Sequence, residues 1–301
     1  MLPKRVQLHL RSGNAYASYM LARVPASSAN LGPGFDALAV ALELYIEVSI
    51  EESDSFSISS EGYGAGLFDD ENHMAAKIAT QVLGHSNYKM HVKSEIPLSR
   101  GLGSSASLAL AAASAAGSND VLAIATKIDG HAENAAASLL GGLVVANVEK
   151  DGSIIARPLQ LDDEWRFVVV IPDEELATAD ARRVLPSQVP FSDAVHNLNS
   201  LGLLIAGLAN HQDFVPSAMD DYLHQPYRMP LLPFAAPLLQ TLRDAGAAGS
   251  CWSGAGSTML GLSTQKNAPG IAKAANEFLQ KNSIPGQVLT LNADRTGLET
   301  R

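Results

Sequence analysis

Residues 97–107 read PLSRGLGSSAS, and this stretch decides how the rest of the chain is read. Gly101 and Gly103 let the backbone approach a ligand closely, Ser104 and Ser105 add hydroxyls, and the alanine-rich run that follows reads as a helix. A glycine turn that opens into a helix is a seat for an anion, because successive N–H groups and the positive end of the helix dipole face the same point. The segment lacks the lysine of GxxxxGK[ST], so it is not a Walker A loop. Taken alone it is also compatible with a plain glycine–serine helix cap, though the anion seat is the better reading.

Outward toward the N-terminus, PASSANLGPGFD (residues 25–36) gathers Ser27, Ser28, Asn30 and Asp36 around glycines and prolines and reads as a loop. It feeds GFDALAVAL, whose apolar spacing predicts a helix. YIEVSIEE, FSISS and Tyr88 to Ile96 alternate as half-buried strands, and Asn72 to Leu83 reads as an amphipathic helix. Toward the C-terminus, Asp120 to Leu140 is helical with an interruption at DGHAEN, and two strands, GGLVVANVE and SIIARPLQL, close a first half near Leu161. WRFVVVIP then opens a second half as a buried strand, followed by helices over 179–184, 192–210, 234–244 and 269–281 and strands at GSCWSG, STMLGL and QVLTLN. A second glycine segment, SGAGSTML, carries Gly254 and Gly256 between two of these strands. Both halves mix strands and helices without regular βα alternation, so the fold class is α+β.

The chain has 301 residues, 47% of them hydrophobic, enough to bury a substantial core. A formal net charge of -10 argues against a surface that tracks a nucleic acid, since neutralising a polyanion needs clustered Lys and Arg. The single cysteine, Cys251, allows no intrachain disulfide and fits a cytoplasmic setting. No run approaches the length of an apolar membrane span, so no membrane partner is expected. Residues 1–18 fit no element and read as a disordered leader, with Met20 an alternative start.

The order PASSANLGPGFD, PLSRGLGSSAS, SGAGSTML resembles the three motifs of the GHMP kinase superfamily, over nearly the whole chain from Tyr19 onward. Three further segments are similar to the homoserine kinase branch of that superfamily: DGHAENAAASLLGG, TADARRVLP and MDDYLHQPYRMPLLP. The resemblance implies a two-domain GHMP kinase fold. Residues 19–161 would form a ribosomal protein S5 domain 2-like ATP-binding domain and residues 162–301 a ferredoxin-like domain, with ATP between them. It also implies ATP and magnesium, L-homoserine as the phosphoryl acceptor, and a homodimer.

Carried over residue by residue, the resemblance assigns Pro97, Leu98, Ser99, Arg100, Gly101, Leu102, Gly103, Ser104, Ser105, Ala106 and Ser107 to ATP, with Gly254 and Gly256 in the third motif. Asn30, Asp36, His131, Asn134, Arg182 and Arg228 belong to the amino-acid pocket, with Asp36 suited to an ammonium group. Arginine forks suit a carboxylate bidentately. His131 and Asn134 stand three apart and would share a helix face. Asn134, Arg182 and Thr178 are the residues nearest the chemistry. An amide cannot take a proton, so Asn134 implies positioning of the hydroxyl rather than base catalysis. Ser105 and Asp129 are the expected magnesium ligands, with Asp120 as the alternative carboxylate.

The sequence departs from the branch's pattern at several points. Asp129, Ala132 and Glu133 replace the Glu, Pro and Asp of EGHPDN, Tyr222 replaces an arginine, and Ser257 a proline. Two other readings therefore stay open: a GHMP kinase of another small alcohol, and a ligand-binding homologue without turnover.

Overall fold

The structure is a computed structural model and describes residues 20–301. The expected leader, residues 1–18, lies outside the described residues.

The first body is built on a seven-stranded sheet. β1 (Met20–Ala29) pairs antiparallel with the long β2 (Leu38–Glu52), which pairs in turn with β4 (Tyr88–Ser94) through its second half and with β5 (Leu143–Val148) through its first. β3 (Ser57–Gly62) lies parallel to β4, and β6 (Ile154–Leu159) is antiparallel to β5. Four helices cover this sheet: α1 (Met74–Leu83), α2 (Ser104–Ala115), α3 (Val121–Asp129) and α4 (Glu133–Leu140).

Helix α2 runs through the middle of the body. Only three of its twelve residues escape burial, and its many alanines let α1, α3, α4 and strands β1 and β2 all approach it closely. That packing holds the N-terminus of α2 fixed, which is what a binding site at the preceding turn requires.

The second body has a four-stranded antiparallel sheet in the order β10 (Gly286–Leu291), β7 (Trp165–Pro172), β9 (Met259–Thr264), β8 (Gly249–Trp252). Its helices are α5 (Thr178–Arg183), α6 (Phe191–Ala209), α7 (Gln225–Arg228), α8 (Ala235–Asp244) and α9 (Ala268–Lys281). Strand β7 is apolar without alternation because both its faces are covered. Phe167, Val169 and Ile171 join the core shared with the first body and α6, while Val168 and Val170 pack under α8 and α9.

The structure corrects two expectations. GFDALAVAL is not helical: from Leu38 onward it is strand β2, and PASSA, expected as loop, is the end of β1 paired with it. Leu38 to Leu42 are all buried, so both faces of this part of β2 carry apolar residues and the period of two that marks a strand is erased. Leu161 lies between β6 and β7, and the chain later crosses back to the first sheet. Ala293 bridges to Leu42, and β11 (Glu299–Thr300) adds to the edge of β1 in the first sheet.

Candidate active site

Loops from both bodies meet at the N-terminus of α2. Gly103 sits before the helix in a left-handed conformation and offers no side chain to cap it. The first N–H groups of α2 accordingly have no acceptor within the helix and face the cleft with the positive end of its dipole. Gly101 and Gly103 are required here for space as well as for φ. A Cβ on Gly101 would collide with the Ser253 carbonyl, and one on Gly103 with the Ser27 hydroxyl.

The three glycine-containing segments are stitched together by hydrogen bonds. Ser253 Oγ lies 2.7 Å from the Gly101 carbonyl and 2.8 Å from Ser28 Oγ, and Gly254 N–H donates to the Ala29 carbonyl at 2.8 Å. Asn30 Nδ2 donates to the Gly254 carbonyl at 3.1 Å, while its Oδ1 accepts from the Asp36 N–H at 2.8 Å. Asn30, Asp36 and Ser99 adopt positive φ, three of the four non-glycine residues that do so among those described. Held conformations of this kind gather where a loop is built to present groups rather than to relax.

The cleft takes in Ser99, Arg100, Gly101, Gly103, Ser104 and Ser105 from the glycine loop and the start of α2, together with Asp129, His131, Glu133, Asn134, Thr178, Arg182 and Arg228. Pro97 and Leu98 line an adjoining hollow with Tyr63, Gly64 and Leu67, joined to the cleft through Arg100. Leu102, Ala106 and Ser107 face the core instead: all are buried, and Ser107 Oγ donates to the Pro25 carbonyl at 2.8 Å. Gly254 reaches the cleft, whereas Gly256 packs against the Trp252 ring. Asp120 is exposed at the far end of α3, a full helix away from Asp129, so the alternative metal carboxylate is separated from the cleft.

His131 and Asn134 both line the cleft, but not by sharing a helix face. Helix α4 starts at Glu133, and His131 lies in the turn before it. Asn134 Oδ1 accepts from the Ser27 hydroxyl at 3.0 Å, which directs Nδ2 toward Asp129 Oδ2, 3.5 Å away. Thr178 and Arg182 stand one turn apart on α5, both toward the cleft.

Arginines dominate one wall. Arg182 holds Asp36 with both terminal nitrogens, at 3.1 and 2.5 Å, leaving its buried Nε without a partner. Arg228 is 1% exposed, donating from Nε to the Ala181 carbonyl and from Nη1 to the Gly254 carbonyl at 3.0 Å. Burial, reinforced by Arg182, lowers its pKa to about 10. Arg100 is spent differently: it donates to the carbonyls of Leu98, Pro172 and Asp173, clamping the glycine loop to the end of β7.

Two carboxylates share the cleft with the arginines. Burial raises the pKa of Asp129; it also lifts the pKa of Glu133, which is 3% exposed, to about 7. Neither has an ion-pair partner among the described residues. Glu133 entered the sequence reading only as a departure from a motif, because nothing in the sequence marks it as buried. Burial also lowers the pKa of His131, with Arg182 adding to the effect.

Comparison with known proteins fits this geometry. Family models described as the GHMP kinases N terminal domain and the GHMP kinases C terminal match residues 72–142 and 194–281. The homoserine kinase of Carboxydothermus hydrogenoformans is 36% identical over 291 residues, covering 91% of this chain and 94% of that protein. The chain belongs to the homoserine kinase family of GHMP kinases. Within that family, the homoserine kinase of Moorella thermoacetica is 40% identical over 258 residues, 80% of this chain and 86% of its own length. The crystal structure of homoserine kinase from Cytophaga hutchinsonii superposes with a TM-score of 0.82 at 27% identity, covering 98% of this chain and all of that one. Mevalonate kinase from L. major shares the GHMP kinase fold at a TM-score of 0.66 and 16% identity, covering 94% of this chain and 97% of its own. The two-domain fold expected from the motifs is thus the fold of this homoserine kinase family member.

Proposed function

We propose that the protein transfers the γ-phosphoryl group of ATP to the side-chain hydroxyl of L-homoserine, giving O-phospho-L-homoserine and ADP on the route to threonine. The observation that carries this reading is the meeting, in one cleft, of an uncapped helix N-terminus with Arg182, Arg228 and an amide at Asn134. An anion seat next to a carboxylate clamp suits a nucleotide and an amino acid side by side.

In this reading the N–H groups from Gly101 to Ser105 hold the phosphates. The hollow lined by Tyr63, Leu67, Pro97 and Leu98 takes the base of the nucleotide: these side chains, Leu67 being 62% exposed, offer it apolar surface beside the polar Arg100, Asp173, Glu175 and Gln287. Arg228 and Arg182 receive the α-carboxylate. Asp36, with lone pairs to spare beyond its Arg182 bonds, and Asn30 receive the ammonium end with His131. Asn134 Nδ2 donates to the acceptor hydroxyl oxygen and fixes it in line with the γ-phosphorus, near Thr178. The new O–P bond forms as the β–γ bridging bond breaks, ADP leaves with that electron pair, and the hydroxyl proton passes to phosphate or solvent. A loose transition state makes a strong base unnecessary, so positioning carries the step.

A magnesium ion fits the residues present. Asp129 and Glu133 bring desolvated negative charge with no counter-ion, and Ser105 adds an oxygen on the phosphate side. Asp129 and Ser105 would hold the ion, which when bound neutralises charge on the phosphates. A homodimer belongs to the same reading and is supported by α6: Phe191 and Leu198 are 85% and 68% exposed, and Asp193 is its only charged side chain. A neutral apolar face is what a chain of net charge -10 needs to meet its own copy. A cytoplasmic setting is supported by the lone buried cysteine.

The test is an ADP-release assay with ATP and magnesium, comparing L-homoserine, mevalonate, galactose and no acceptor. Turnover with homoserine alone is expected. Turnover with another acceptor, or none despite ATP binding, would overturn the assignment.

A further inference from the structure

Behind Arg228 lies a buried polar chain that touches no part of the cleft. Arg228 Nη1 stands 3.1 Å from His224 Nδ1. A guanidinium has no acceptor, so the arginine donates and Nδ1 must be the unprotonated nitrogen. The ring proton therefore sits on Nε2, which is 2.8 Å from the Gly32 carbonyl and 3.1 Å from Asp221 Oδ2. Asp221 is fixed in its turn by the N–H groups of Leu223, His224 and Gln225. His224 is 0% exposed, and its ring stacks on Phe35 with centroids 5.1 Å apart and planes 22° from parallel. Phe35 also lies 5.3 Å from the Arg228 guanidinium and 5.4 Å from that of Arg182. Burial and the Arg228 charge both lower the His224 pKa, in keeping with a neutral ring.

Every bond in this chain has one allowed direction, and its last link is an arginine. Nε and Nη1 of Arg228 are committed to Ala181, Gly254 and His224, while Nη2 has no hydrogen-bond partner among the described residues. We propose that His224 is a positioning residue for the acceptor: as the Nε2–H tautomer, set by Asp221 and Gly32, it fixes the rotation of Arg228 so that Nη2 faces the amino-acid carboxylate. This rests on the reading of Arg228 as a carboxylate ligand. The energetic logic is that a buried guanidinium with a wrong or missing acceptor would turn to find another, taking its free edge off the substrate.

The experiment compares His224→Leu, His224→Asn, Arg228→Ala and the double variant His224→Leu/Arg228→Ala in steady-state assays with homoserine and ATP varied separately. His224→Leu should raise the homoserine KM about tenfold, the loss of one hydrogen bond to a charged group, with the ATP KM moving less than about twofold. His224→Asn should restore most of this, since its Oδ1 can stand where Nδ1 accepts. In the Arg228→Ala background, His224→Leu should add nothing to the homoserine KM, because the histidine acts only through the arginine. Equal rises in both KM values, no rescue by asparagine, or additive effects in the double variant would overturn the positioning role. If Arg228→Ala itself leaves the homoserine KM unchanged, the carboxylate reading of Arg228 fails, and that outcome is separate from failure of the relay.

Discussion

Ser27 donates its hydroxyl to the side-chain carbonyl of Asn134 across 3.0 Å, and this bond between β1 and α4 settles which way the amide points. With Oδ1 occupied, only Nδ2 is presented to the cleft. The residue is a donor toward a hydroxyl oxygen, and an amide is too weak a base to take its proton. Ser138 Oγ, 3.1 Å away, donates to Ser27 in turn, so the orientation is held from the core outward.

Ser27→Ala should therefore lower kcat several-fold with little change in either KM, because the amide loses its orientation but not its place. Stability should fall by about 1 kcal/mol, the usual net worth of one hydrogen bond. Steady-state kinetics with a urea titration would check both.

Gly103→Val should abolish ATP binding. Gly103 has φ 67°, and its Cβ would meet both Ser27 Oγ and Asn134 Oδ1. The turn would be pushed off the helix N-terminus, and folding stability should drop by more than about 1 kcal/mol through the left-handed strain alone. Calorimetric titration with ATP that returned a normal Kd would contradict the assignment of this loop to phosphates.

Glu133 makes stability depend on pH in an unusual direction. Its pKa is raised to about 7 from 4.5, so between these values the unfolded chain releases a proton that the folded chain keeps. Stability falls as pH rises through that window. At pH 8 and without magnesium, Glu133→Gln should be more stable than the unsubstituted protein by about 3 kcal/mol, an upper figure for a shift of this size, and close to neutral at pH 4. Thermal melts at the two pH values read the difference, and a gain that is equal at both would show that the carboxylate is not responsible.

Arg182→Ala should raise the homoserine requirement by at least about tenfold and leave the ATP Kd nearly unchanged, since a charge-assisted contact to the acceptor is lost. It also removes the two bonds that hold Asp36. An equal loss of ATP affinity would move Arg182 to the phosphate side of the cleft.

If the proposed homodimer forms through α6, Leu198→Lys should give a folded monomer, because Leu198 is exposed on that helix. Light scattering would give the mass directly. A particle of unchanged mass would place any interface on another face.

The parts of the cleft that are legible in the sequence are those that follow from the local chain. PLSRGLGSSAS announces a turn that needs glycine and a helix that follows it, and both are there because φ and helix propensity are short-range properties. TADAR and HQPYR delivered Arg182 and Arg228 to the cleft because each motif fixes an arginine on one turn of helix. GFDALAVAL failed for the opposite reason: a strand covered on both faces has no periodicity to read, and only its partners β1 and β5 make it a strand.

What the sequence by itself determined, then, was the set of local devices: the glycine turn, the uncapped helix, the two arginines and the order in which they occur. Tertiary structure alone decided how they are used. It buried Glu133, turned Asn134 through a bond to a residue on another element, paired Asp36 with Arg182 from the far side of the chain, and set His224 behind Arg228. Burial and long-range hydrogen bonds join residues distant along the chain, Asp36 and Arg182 being 146 positions apart. A desolvated carboxylate and a solvated one are the same letter until the fold removes the water.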